Sequence, residues 1–93
     1  MSVRVLLADD HGVVRRGLRH LLEEEDDIRV VGETSNGMDA VKLAEELEPD
    51  VILMDIAMPL LNGIDATAQI TKRLPAAKVI ILSMHADEGY LTR

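Results

Sequence analysis

Short apolar runs alternate along this chain with longer stretches in which apolar residues recur at helical spacing. Val3 to Ala8 is a first apolar run, closing on two acids, Asp9 and Asp10, before a His11-Gly12 turn. Val14, Leu18, Leu21 and Leu22 follow as one face of an amphipathic helix, with Arg15, Arg16, Arg19 and Glu23 on the other. The acidic run from Glu23 to Asp27 reads as a solvated helix end and loop. Ile28 to Gly32 is a second strand, and Arg29 within it suits a sheet edge better than a centre. Ser35-Asn36-Gly37 turns the chain into a second helix, whose stripe of Ala40, Val41, Ala44 and Leu47 must end before Pro49.

The next run, Val51 to Met54, ends abruptly in Asp55, and a turn containing Pro59, Asn62 and Gly63 follows. A short apolar run bounded by turn residues reads as a strand buried on both faces of a parallel sheet. An ionised carboxylate loses its hydration on burial. Asp55 is therefore expected at the carboxyl end of its strand, facing the crevice where open α/β sheets bind ligands. Asn62-Gly63 starts a third helix with Ala66, Ile70 and Leu74 at four-residue spacing, closed by Pro75; Val79 to Leu82 is a fourth strand, ending at Ser83. Asp87 could cap a fourth helix before the chain stops at Arg93. Strand and helix alternating with short connections predict a single α/β domain, a parallel sheet with helices on both faces.

Composition narrows the function classes. The 93 residues carry a net charge of −7, no cysteine, no Phe or Trp, and one aromatic residue, Tyr90. The charge argues against gripping a phosphate backbone, and the missing aromatics leave no platform for base stacking. Thiolate chemistry and disulfides are excluded. No apolar run approaches membrane-spanning length and the amino terminus enters a strand at once, so a cytoplasmic protein is expected.

In a parallel sheet all carboxyl ends lie on one edge, so Asp9, Asp10, Asp55 and Ser83 can converge. Carboxylates brought together repel one another unless one holds a proton or a cation neutralises them. Oxygen ligands without cysteine favour Mg²⁺. A carboxylate beside Mg²⁺ can attack phosphorus to give an aspartyl phosphate, a transfer that needs positive charge around the equatorial oxygens. A lysine is the natural further partner. Lys42 and Lys72 fall on helices, however, and Lys78 begins its strand at the end away from the crevice.

Three segments carry a family resemblance: Val-Leu-Leu-Ala-Asp-Asp-His (5–11), Met-Asp-Ile-Ala-Met-Pro-Leu-Leu-Asn-Gly (54–63) and Ile-Leu-Ser-Met-His (81–85). Together they resemble the receiver domain of bacterial two-component response regulators, of the NarL/FixJ type. The resemblance implies a three-layer flavodoxin-like (CheY-like) fold with strand order 2-1-3-4. It implies that Asp55 accepts a phosphoryl group from a sensor histidine kinase. Asp10, Asp55 and the backbone carbonyl of Ala57 would hold Mg²⁺, with Asp9 acting through water. Ser83 would hydrogen-bond the phosphoryl group and move with it, while Ala57, Met84 and His85 would tune its lifetime. Members usually carry a helix-turn-helix output domain, so transcriptional control is implied for a full-length parent.

The pattern departs from that family at the carboxyl end. A fifth strand ending in Lys before Pro, and a fifth helix, have no counterpart here, and Tyr90 lies too early to be the family's switch aromatic. The domain is therefore expected to be incomplete, with residues 1–93 ending in the fourth helix. Its fourth strand would be a bare apolar edge, favouring a homo-oligomer or domain-swapped dimer. His11 and His85 read as neighbours of the acid site, not as ligands. Two other classes compete with the receiver reading. One is a haloacid-dehalogenase-type phosphatase, which wants an acid where Ala57 stands; the other is a structural or oligomerising fragment without phosphoacceptor activity.

Overall fold

The computed structural model describes residues 2–82. Within them the chain runs β1 (Val3–Ala8), α1 (Gly12–Glu23), β2 (Ile28–Thr34), α2 (Gly37–Leu47), β3 (Val51–Asp55), α3 (Gly63–Arg73) and β4 (Lys78–Leu82). All strand pairs are parallel, in the order β2-β1-β3-β4. This is the expected order, with the Arg29-bearing strand at one edge. The proposed fourth helix, Asp87 and Tyr90 lie outside the described residues.

Helix α2 leads from β2 across β1 to β3, and α3 leads from β3 to β4. Both crossovers run in the same direction across the sheet, so both helices lie on one face, whereas α1 leads the opposite way and lies on the other. The core therefore forms between the α2/α3 pair and the alternate residues of the central strands. Leu6, Ala8, Ile52 and Met54 from β1 and β3 meet Ala40, Val41 and Ala44 of α2, and Ala66 and Ile70 of α3. Asn36 and Asn62 cap these two helices, their side-chain oxygens accepting from the amides of Asp39 and Asp65.

The α1 face is thinner. No α1 residue is fully buried. Val14, Leu18 and Leu22 are half-buried, as the helical stripe predicts, but Leu21 is 63% exposed. Among the described residues no helix packs beside α1 to receive it. Arg15, expected on the solvated face, is instead half-buried. Its guanidinium donates to the Asp9 carbonyl at 2.6 Å and to Glu33 at 3.2 Å, tying α1 to the carboxyl end of β1 and to β2. Arg19 contacts Glu33 beside it. On β4, Ile80 and Ile81 are 49% and 38% exposed. Among the described residues no strand pairs with its outer side.

Candidate functional site at the carboxyl ends of the strands

Sheet register brings the acids together. Ala8 pairs with Met54, so Asp9 and Asp55 leave neighbouring strands at the same level. The Asp9 amide donates to the Thr34 carbonyl at 3.0 Å, which continues the β1–β2 ladder by one residue and fixes its position. Asp9 and Asp55 are buried, while Asp10 faces solvent. Asp9, Asp10, His11 and Asp55 each offer a ligand atom, and these atoms all lie within 4.8 Å of one another.

Burial without compensation is the main electrostatic feature. Asp9 Oδ2 and both Asp55 carboxylate oxygens accept no hydrogen bond of ordinary geometry among the described residues. Burial pushes the Asp55 carboxyl above the usual carboxylate range, and the charges of Asp9 and Asp10 add to this; the Ile56 amide and His11 pull it back only in part. The His11 imidazole is raised from its ordinary value, above all by its hydrogen bond to Asp9; desolvation opposes this, and the charges of Asp10, Asp9 and Asp55 add to the rise. Its Nδ1 lies 2.9 Å from Asp9, 3.2 Å from Asp10 and 3.5 Å from Asp55.

The loop after β3 is held at both sides. The Gly63 amide donates to the Ile56 carbonyl at 2.7 Å, and a Cβ at Gly63 would stand 2.0 Å from the Asp55 carbonyl oxygen. A Cβ at Gly37 would stand 1.8 Å from the Leu61 carbonyl oxygen. Only glycine permits these approaches, so the starts of α2 and α3 both abut the loop carrying Ala57, which is itself exposed. Met58 tucks into the core beneath it. Leu60 adopts φ 70°, a left-handed conformation unusual for a leucine.

Of the expected site residues, the structure brings Asp9, Asp10 and Asp55 together. Ser83, Met84 and His85 lie outside the described residues. The described lysines are remote: Lys78 pairs with Val51 at the far end of β3, and Lys42 and Lys72 lie on α2 and α3. His11 enters the cluster more deeply than its place in a turn suggested. The only sequence signal was its position immediately after the acid pair. The three carboxylates of this cluster, with buried oxygens unsatisfied among the described residues, fit a hard divalent cation such as Mg²⁺.

The sequence profile described as response regulator receiver domain matches residues 5–93. The chain is 51% identical over 86 residues to the transcriptional regulatory protein LiaR of Bacillus subtilis, covering 92% of this chain and 41% of that one. It thus spans about two fifths of the length of the curated relatives it matches. Among solved structures, the response regulator domain of Thermotoga maritima CheB superposes with a TM-score of 0.86 at 43% identity, covering 96% of this chain and 66% of that one. The receiver domain of the putative response regulator NarL from Mycobacterium tuberculosis gives 0.86 at 31% identity, covering 98% and 73%. Parallel order, acid cluster and similarity agree: this chain belongs to the receiver domain family of response regulators.

Proposed function

We propose that Asp55 is the phosphoacceptor of a two-component signalling pathway, receiving its phosphoryl group from a sensor histidine kinase. The observation that carries this reading is the Asp55 carboxylate itself. It is wholly buried at the end of a central strand, without a well-formed hydrogen bond among the described residues, and its charge is opposed by Asp9 and Asp10. Such a group costs stability unless a proton or a cation neutralises it, and a costly group at a strand end is what a reaction or ligand site contains.

In this reading Asp10, Asp55 and the Ala57 carbonyl hold Mg²⁺, and Asp9 acts through water. The bound cation supplies positive charge against the carboxylates and the incoming phosphoryl oxygens. The chain's own residues do the rest. Burial strips water from the Asp55 oxygen that attacks phosphorus, forming the acyl phosphate as the donor's P–N or P–O bond breaks. The Gly63 and Gly37 contacts hold the loop behind the acceptor. Ser83 is assigned to hydrogen-bond the phosphoryl group and to shift with it, and Ala57, Met84 and His85 to set its lifetime.

The product is a modified signalling protein, not a released metabolite. Its output is assigned to transcription, because relatives such as LiaR are transcriptional regulators. The exposed Ile80 and Ile81 edge is read as a surface for self-association. Sedimentation showing a monomer at high concentration would remove that part of the proposal. The acceptor itself is tested by incubating the protein with Mg²⁺ and acetyl phosphate or phosphoramidate, then measuring intact mass. A base-labile phosphoryl adduct on the wild type, absent from Asp55→Asn, is expected. An adduct persisting in Asp55→Asn, or none in the wild type, overturns the assignment for this chain.

A further inference from the structure

His11 sits where a ligand of the acid cluster has to go. Its Nδ1 lies 2.9, 3.2 and 3.5 Å from one oxygen each of Asp9, Asp10 and Asp55. A Mg²⁺ ion must approach carboxylate oxygens to about 2.0–2.1 Å and keeps several waters of its own. An imidazole nitrogen this close to three carboxylates occupies the volume that the cation and its water need.

We infer that the His11 ring is an internal plug of the cation site, which must swing out before Mg²⁺ can enter. The inference rests on the reading that these acids bind Mg²⁺, and it adds a residue that opposes that binding.

The backbone makes the movement local. His11 stands at the amino-terminal cap of α1, but its side chain does not cap the helix. The helix start is held instead by backbone groups: the Arg15 amide donates to the His11 carbonyl at 2.9 Å. The His11 amide independently donates to Asp9 Oδ1 at 2.8 Å. Rotating the ring leaves both contacts intact. The ring is 39% exposed, so it has an outward path. Beside it, a Cβ at Gly12 would meet no heavy atom within 4 Å, so the neighbouring space is open. The contacts the ring gives up include those to Asp10 and Asp55 and its hydrogen bond to Asp9, one of the two that this residue makes to the same oxygen.

The plug has a function in the resting molecule. Asp9 and Asp55 are buried with oxygens that lack hydrogen-bond partners among the described residues. A ring nitrogen among them relieves part of their repulsion and keeps the acids in place until the cation replaces it. Removing the ring should therefore make the site easier to fill and the empty site harder to hold.

Mg²⁺ affinity, measured by calorimetry at one fixed pH on the full chain, tests this. His11→Ser removes the ring and keeps a residue type favoured at a helix cap; His11→Ala is the second variant. The expected result is Mg²⁺ binding tighter by about tenfold, the scale carried by one hydrogen bond to a charged group. Nitrogen-15 shifts of the imidazole, followed during the wild-type titration, should move from a carboxylate-bonded to a water-exposed pattern as the site fills. Unchanged or weaker affinity in the variants, or an imidazole signal that stays constant at saturation, overturns the plug while leaving the cation site standing. Absence of Mg²⁺ binding in wild type and variants alike defeats the proposed function itself, and the plug with it.

Discussion

Strand β3 has an aspartate at each end, and the two are used in opposite ways. Asp50 precedes the strand at its amino end. Its carboxylate accepts from the Arg4 amide at 2.9 Å, its amide donates to the Arg4 carbonyl, and its carbonyl accepts from Lys78. The Arg4 guanidinium reaches the Glu48 carbonyl, closing off the end of α2. Each of these groups has a partner, and the carboxylate itself is exposed. Asp55, at the other end, is buried among acids with oxygens that no described residue satisfies. Asp50 ties three strands together, whereas Asp55 costs stability and is available for chemistry. Polar groups satisfied by the fold mark structure, and those left unsatisfied at a strand's carboxyl end mark a site.

The strongest way to break this contrast is through the backbone that supports Asp55. Gly63→Ala places a methyl group 2.0 Å from the Asp55 carbonyl oxygen. It should lower stability by about 3 kcal/mol or more, as a main-chain clash in a packed region does; denaturant unfolding measures it. Next is the cation. At a hundredfold excess over its dissociation constant, Mg²⁺ should stabilise the wild type by about 2.7 kcal/mol. Little of that stabilisation should survive in Asp55→Asn, and thermal unfolding with and without metal reads both.

Sharper still is a difference in sign. Without metal, Asp55→Asn should raise stability by about 1–2 kcal/mol, because it removes an uncompensated buried charge. Asp50→Ala should lower it by about 1 kcal/mol through loss of the bond to Arg4. If both variants destabilise equally, the contrast between the two strand ends fails.

The smallest effect is in the pH dependence. Asp55 has a raised carboxyl pKa in the folded protein. Its ionisation therefore costs no stability below the unfolded value near 3.9, and the destabilisation grows above that value until pH has passed the folded one. His11, also raised, contributes fully below about 6.5 and loses that contribution above it. Metal-free wild type should thus lose stability relative to Asp55→Asn across the acidic range. Relative to His11→Ser, it should lose stability as pH rises above about 6.5.

Much of this arrangement was legible in the residues. Asp55 after Val-Ile-Leu-Met could hardly be anything but a strand-end acid, and Arg29 marked its strand as an edge. Parallel topology then placed Asp9 and Asp10 beside it. What escaped the reading depends on side-chain direction, which periodicity does not encode. Arg15 shares the helical spacing of a solvated residue, yet it turns inward because the Asp9 carbonyl and Glu33 lie within its reach. Leu21 fits the apolar stripe, yet it projects where the described residues offer nothing to pack on. His11 reads as a neighbour of the acid site, and it is one, but the direction of its ring toward Asp55, far away in sequence, is not encoded in its position.

The glycine contacts behind Asp55 also determine how the domain can yield. With the Asp55 carbonyl against the start of α3, and the Leu61 carbonyl against the start of α2, there is no slack on that side of the acceptor. A load placed on the Asp55 carboxylate is resisted there by two helices and the core they share. The compliant direction is toward β4, whose isoleucines are half in solvent. Amide exchange should show this mechanical asymmetry directly, slow at Gly63 and fast along Ile80 and Ile81.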